Sequence, residues 1–134
     1  KWKSSKQVRK QRKYRANAPL HIRGKFLNAN LSKELRQKHS KRSMAIRKGD
    51  TVKIMRGKFK NKKGKVLRID LANSRISIEG IQRQKKEGTK IEVLFSASNL
   101  QVQELNLDDK KRIKRLKKQV EGGEKNVSEK KSIK

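Results

Sequence analysis

The stretch Ile46-Arg47-Lys48-Gly49-Asp50-Thr51-Val52-Lys53-Ile54-Met55-Arg56-Gly57-Lys58-Phe59-Lys60-Asn61-Lys62-Lys63-Gly64-Lys65-Val66 decides the fold. It reads as a turn, a strand, a basic loop and a second strand. Val52 and Ile54 share one face and Lys53 takes the other, the period of a half-buried β-strand. Gly49 suits a tight turn before that strand, and Asp50 is expected to hold the turn by accepting backbone hydrogens. Gly57 and Gly64 bracket the loop, where positive φ is expected. Between them stand Lys58, Lys60, Lys62 and Lys63, with Asn61 at the tip. A turn offering cations and free backbone N–H groups is expected to read phosphate. Lysines serve there as rotating point charges rather than base-specific forks.

A glycine- and lysine-rich loop also invites comparison with a nucleotide-binding P-loop. That motif needs a glycine five residues before Gly-Lys-Ser or Gly-Lys-Thr. Here Val66 follows Gly64-Lys65 and Phe59 stands five before Gly64, so both ends fail. Downstream, Lys65 to Asp70 carries Val66, Leu67 and Ile69, a broken alternation that predicts a bulge or burial on both faces. Arg75 to Glu79 alternates through Ile76 and Ile78, after turn material at Ala72-Asn73-Ser74. Ile91, Val93 and Phe95 alternate again, and Leu100 and Val102 make a last short strand. Five short strands in so short a span predict a mainly β fold, a small and strongly bent barrel.

Charge narrows the function. The 134 residues hold 41 Lys and Arg against 12 Asp and Glu, a net charge of +29. Such self-repulsion implies a polyanionic partner, and nucleic acid fits best because each neutralised phosphate releases counterions. Residues 1–48 carry 17 basic groups and one acid, Glu34, so the excess is steepest there. The absence of cysteine excludes disulfides and cysteine-based metal sites. His21 and His39 lie far apart without ligand-like company, so no metal or cofactor is expected. No apolar run approaches the length of a membrane span, and the start lacks the apolar core of a signal peptide. Membrane insertion and a small-molecule substrate are therefore not expected. Glu34, Asp50, Asp70, Glu79, Glu87, Glu92 and Glu104 form no evident acid–base pair, which argues against an enzyme.

Three segments follow: a basic N-terminal extension over 1–43, the β module over 44–105, and a C-terminal helix with a basic tail over 106–134. In the first, Ser4 or Ser5 is expected to cap a basic helix running toward Ala16, ended by Asn17-Ala18-Pro19. A second helix is expected from Ser32 to Arg42, with Ser32 as cap, Glu34 in the first turn, and Leu31 and Leu35 docking on the module. The third is expected to be helical from Leu107 to Val120, capped by Asp108. Its apolar stripe is Ile113, Leu116 and Val120, with Arg112 among the basic residues covering the remainder. Docking on the module and on RNA ranks above a membrane surface or a calmodulin-like partner for this helix.

At the opening stretch the sequence resembles the KOW motif, a β-hairpin signature of nucleic-acid-binding SH3-like barrels. The match runs through Gly49-Asp50, Val52, Ile54, Gly57 and Gly64-Lys65-Val66. The flanks sharpen it: Arg9 to Lys13, Ala18-Pro19-Leu20-His21, Leu31 to Arg36, and Ser98-Asn99-Leu100 through Asp108 occur in order. Together they are similar to the universal large-subunit ribosomal protein family numbered twenty-four (twenty-six in eukaryotic naming), in its archaeal-type form. The chain departs from that pattern before Ser98, with Val93-Leu94-Phe95-Ser96-Ala97 where relatives usually carry a Pro-Ile-His-Pro run.

The resemblance implies a non-enzymatic cytoplasmic ribosomal protein that binds large-subunit rRNA near the nascent-chain exit, helps assembly, and touches neighbouring large-subunit proteins. It implies RNA contacts from Arg56, Lys58, Lys60, Asn61, Lys62 and Lys63, and from Arg9, Lys10, Arg12, Lys13, His21 and Arg23. To these we add Tyr14, Arg15, Lys25, Arg42, Arg47, Lys48, Lys53 and Lys65 as expected contacts, with Trp2 able to stack on a base. A transcription factor bearing the same motif and a chromatin-like DNA binder are the rival classes. A helix basic all round is marginal alone in water. A peptide of the N-terminal arm should therefore show little helix by circular dichroism until RNA is added. Full helicity without RNA would rule out coupled folding.

Overall fold

The structure is a computed structural model that describes residues 4–114 and residue 116. The expectations for Trp2, for Val120 and for the tail after Gly122-Gly123 lie outside the described residues. Two short helices lead in, α1 (Val8–Asn17) and α2 (Leu20–Phe26), followed by β1 (Asn28–Leu31), α3 (Lys33–His39) and β2 (Ser43–Ala45). Then come β3 (Thr51–Ile54), β4 (Lys63–Asp70), β5 (Arg75–Gln84) and β6 (Lys90–Ser96). A 3-10 turn (Ala97–Asn99) connects β6 to β7 (Leu100–Glu104).

The chain is mainly β, as expected, but the strands form one open seven-stranded sheet in the order β2-β1-β7-β3-β4-β5-β6. A closed barrel is not found: the five expected strands are β3 to β7, and β1 and β2 extend the sheet beyond them. The reason lies at β7, whose outer edge is taken in parallel by β1 through Asn30↔Gln101 and Leu31↔Val102. All other pairings among the described residues are antiparallel. The sheet bends at the broken alternation of β4: register slips between Val66 and Arg68, and Leu67 is left exposed. The first part of β4 pairs with β3 and the second with β5, so one strand serves both halves of the sheet. Both halves bury side chains in one cluster, with Val52, Ile54, Leu100 and Val102 from one and Ile76 and Ile78 from the other.

The helix signals are met unevenly. Ser32 caps α3 by accepting from the Leu35 amide at 3.3 Å, with Glu34 in the first turn, but the helix stops at His39 rather than Arg42. Ser40 ends it in the left-handed region at φ 48. Leu31 is buried from strand β1, not from α3, while Leu35 packs against the cluster from the helix. Burial, then the neighbouring Lys38, hold the His39 imidazole below its usual range, which favours its neutral form. Neither Ser4 nor Ser5 caps α1, since Gln7 occupies that position. Ser5 instead accepts from the Gln7 amide, and its carbonyl takes the Gln11 side chain at 2.6 Å. Helix α2 has no counterpart among the sequence expectations.

The C-terminal helix starts at residue 110, later than Leu107. Asp109, not Asp108, begins it: its carboxylate accepts from the Lys111 amide at 2.7 Å and its carbonyl from Ile113 at 3.1 Å. Leu116 joins the core as expected. Arg112 does not lie on a solvated face. It is 3% exposed and grips Asp50, itself 0% exposed, through two parallel bonds of 2.6 and 2.7 Å.

Gly64 also differs from expectation. It lacks positive φ, unlike Gly57 at +86°. An added Cβ at Gly64 would lie 2.7 Å from Ile78 Cγ2 and 2.8 Å from the Glu79 carbonyl. The glycine lets β4 and β5 approach, whereas Gly57 serves only the backbone turn.

Two outcomes are expected for stability in urea. Arg112→Met strands a buried carboxylate and should cost about 3–5 kcal/mol, while adding Asp50→Asn to that variant should cost little more, because the stranded charge is gone. Gly64→Ala should cost about 1–3 kcal/mol through overpacking. A Gly64→Ala protein as stable as the parent would show that the two strands part freely.

Candidate nucleic-acid interface

The loop between β3 and β4 is closed by a pair of backbone bonds, Ile54 N–H to Lys62 O at 2.9 Å and Asn61 N–H to Ile54 O at 2.8 Å. Asn61 takes φ 69 at the tip, a conformation asparagine tolerates well. Phe59 anchors the loop from inside. It is half-buried, its ring set edge-to-face on Phe95 at 6.1 Å and 85°. With Phe59 turned inward, Lys58, Lys60, Asn61, Lys62 and Lys63 are exposed, as is Arg56. The Lys62 ammonium rides over the Phe59 ring at 5.6 Å. The expected free amides are not found at the tip: Lys60, Asn61 and Lys62 donate to Gly57, Ile54 and Phe59 carbonyls. What the tip offers a phosphate is side-chain charge.

Strand register adds to this patch. Lys53 stands directly opposite Lys63, and Thr51 opposite Lys65. Alternation therefore puts Lys53, Lys63 and Lys65 on one face, away from Val52 and Ile54. Like charges directly opposite destabilise a strand pair, and a bound anion relieves that repulsion.

The turn before β3 is built around Asp50. Its carboxylate accepts from the Arg47 amide and the Asn106 amide, both at 2.8 Å, as well as from Arg112. Arg112 also donates to the Asn106 carbonyl at 2.8 Å and the Ala45 carbonyl at 3.3 Å. Gly49 holds φ +87, the left-handed region that disfavours a side chain, and an added Cβ would come within 2.8 Å of the Asn106 side-chain Nδ2. Lys48 is exposed beside this turn, while Arg47 pairs with Asp109.

On the arm, α1 buries nothing, and Arg9, Lys10, Arg12, Lys13 and Arg15 are all exposed. Tyr14 is half-buried, edge-to-face with Phe26 at 5.9 Å, and Arg15 lies over the same Phe26 ring at 5.8 Å. Arg23 is engaged by its own chain: it donates to the Ala18 carbonyl at 2.8 Å and the Ala16 carbonyl at 2.7 Å, clamping α1 to α2. His21, Lys25 and Arg42 are exposed. Among the described residues, no group of His, Cys, Asp or Glu is placed to hold a metal, and no helix is long and apolar enough to cross a membrane.

Sequence reasoning missed a second basic projection. Strands β5 and β6 continue as a two-stranded ribbon, paired through Gln82↔Glu92, Arg83↔Ile91 and Gln84↔Lys90. Gly88, at φ +87, turns it, and Arg83, Lys85, Lys86 and Lys90 are exposed along it. The signal was present in Lys86-Glu87-Gly88-Thr89, a turn between polar runs. With no apolar alternation in Gln82 to Lys86 to answer the Ile91-Val93-Phe95 pattern, the pairing does not stand out in the sequence. Phe59 and Arg112 were missed because a lone aromatic in a basic loop and a lone arginine in a basic helix look like their neighbours.

Residues 5–119 match the family described as ribosomal proteins L26 of eukaryotes and their archaeal counterparts of the L24 type. A curated relative from Methanothrix thermoacetophila, named large ribosomal subunit protein uL24, is 46% identical over 110 residues, covering 82% of this chain and 95% of the relative. A relative of the same name from Methanosarcina barkeri is 45% identical over 114 residues, covering 85% of this chain and 98% of its own length. With the motif, its flanks and this coverage in agreement, the chain belongs to the family of eukaryotic L26 and archaeal L24-type ribosomal proteins.

Proposed function

We propose that this chain is a structural, non-enzymatic constituent of the large ribosomal subunit in the cytoplasm. In this reading it binds large-subunit rRNA near the polypeptide tunnel exit, supports subunit assembly, and contacts neighbouring large-subunit proteins. Its relatives' name and the family match support placement in that subunit. The observation that carries RNA binding is the β3–β4 loop, where Phe59 is held inward and the cations around it are exposed, Lys62 resting over its ring.

The RNA-contacting set is the one expected from sequence: Arg56, Lys58, Lys60, Asn61, Lys62 and Lys63 at the loop, with Lys53 and Lys65 on the adjoining face. Arg42, Arg47 and Lys48 flank the Asp50 turn, and the arm supplies Arg9, Lys10, Arg12, Lys13, Tyr14, Arg15, His21, Arg23 and Lys25. Residues 51–104 are read as an SH3-like KOW module. The shared strand β4, the 3-10 turn before β7 and the pairing of β7 back onto β3 favour that arrangement over a flat sheet. The division into arm, module and C-terminal segment at 43/44 and 105/106 is read from charge and motif, while β1 and β2 tie the end of the arm into the module's sheet and Leu27, Ala29 and Leu31 into its core.

Mechanistically the chain supplies charge on preset geometry. Phosphates bind the loop lysines with release of counterions, and burial of the arms against RNA adds stability by mass action. Tagged protein in cell extract should sediment with the large subunit and stay there in high salt. Migration as a free protein, or dissociation at modest salt, would move the transcription-factor reading to first place. In binding to large-subunit rRNA, replacing Lys58, Lys60, Lys62 and Lys63 by alanine should flatten the slope of log affinity against log salt, by about one for each phosphate no longer engaged. An unchanged slope would remove the loop from the interface.

A further inference from the structure

Where α1 meets α2, a cavity of about 410 Å³ opens between Lys10, Lys13, Tyr14, Asn17, Ala18 and Pro19. That volume falls in the range of sites that hold small ligands. The helical spacing explains the grouping: Lys10, Lys13, Tyr14 and Asn17 follow at intervals of three and four and share one face of α1. The lining is sorted by chemistry. Tyr14 supplies an aromatic wall, Ala18 and Pro19 an apolar one, and Asn17 an amide that both donates and accepts. Lys10 and Lys13 complete the lining with the cavity's two basic residues.

The corner is also held in shape. Arg23 clamps the carbonyls of Ala16 and Ala18 at 2.7 and 2.8 Å, Pro19 fixes its own φ, and Phe26 braces the Tyr14 ring at 5.9 Å. A phosphate alone needs no such walls, and Arg9, Arg12 and Arg15 already offer charge from the same helix without a cavity.

We propose that this cavity takes one unstacked nucleobase of the bound RNA. The base lies against Tyr14 and Pro19, its edge meets the Asn17 amide, and Lys10 and Lys13 hold the flanking phosphates. An asparagine amide matches an edge with one donor and one acceptor, as adenine presents. The site rests on the RNA binding proposed above and adds to it a point where a base, not only a phosphate, is held.

The test uses the full chain and two short RNA hairpins, one with a single bulged adenosine and one with an abasic residue at the bulge. Both carry the same phosphates, so the charge-driven part of binding is common to them. The parent should bind the adenosine hairpin about tenfold or more tightly, the scale of one base stacked on an aromatic side chain. Tyr14→Ala and Asn17→Ala should bring that ratio close to one, and Tyr14→Phe should keep it. Asn17 makes neither the Phe26 contact nor the Arg23 clamp, so its variant stands even if Tyr14→Ala disturbs the corner. Equal binding of both hairpins by the parent, or a ratio unmoved in both alanine variants, would overturn the base pocket and leave charge-driven RNA binding in place. No binding to either hairpin would overturn both.

Discussion

The buried pair of Asp50 and Arg112 ties together parts of the chain that share little else. Asp50 sits in the turn that starts the central hairpin, and Arg112 comes from the C-terminal helix, 62 residues on. Each ion alone would be costly to bury, so the pair holds only because its geometry is nearly complete. The carboxylate receives two backbone amides and both arms of the guanidinium, and the guanidinium adds the Asn106 and Ala45 carbonyls. Of the pair's polar atoms, only Arg112 Nε is left without a partner. The pair thereby joins the end of β2, the turn before β3, the strand exit at Asn106 and the last helix. It also sets where β3 begins, and with it the loop that Phe59 anchors.

Everything else in the molecule works against repulsion. A net charge of +29 on a chain of this length favours expansion, and the apolar cluster is small. Charge is therefore kept on surfaces that bury nothing. Helix α1 has no buried residue, the β3–β4 loop turns its lysines outward, and the ribbon after Ile81 has neither face in the core. Lys53 opposite Lys63 shows the cost within the sheet itself. These are features of a protein completed by its polyanionic partner: the core supplies position and the surface supplies charge.

Much of the fold was legible along the chain. The alternation of Val52 and Ile54, the broken pattern at Val66-Leu67, the turn at Ala72-Asn73-Ser74 and the cap at Ser32 all have short-range causes, and each lies where expected. In that turn Asp70 accepts the Ala72 and Asn73 amides at 2.9 and 3.1 Å, with the Asn73 side chain at 2.7 Å. The Asn73 side chain leads in holding its carboxyl below the usual range. The basic loop between Gly57 and Gly64 was equally visible, because charge and glycine are read residue by residue.

Sequence by itself therefore determined the strand-loop-strand centre, the excess of positive charge and where it lies, and the polyanionic character of the partner. These depend on periodicity, composition and local turn chemistry, which neighbours in the chain decide. Tertiary structure alone decided that β1 takes the edge of β7 and leaves the sheet open. It also decided that Gly64 is needed for close approach and not for φ. And it singled out Arg112, among many arginines and lysines, to be buried against Asp50. Each of these rests on a partner distant in sequence, and the energy of such a contact comes from geometry that no local pattern encodes.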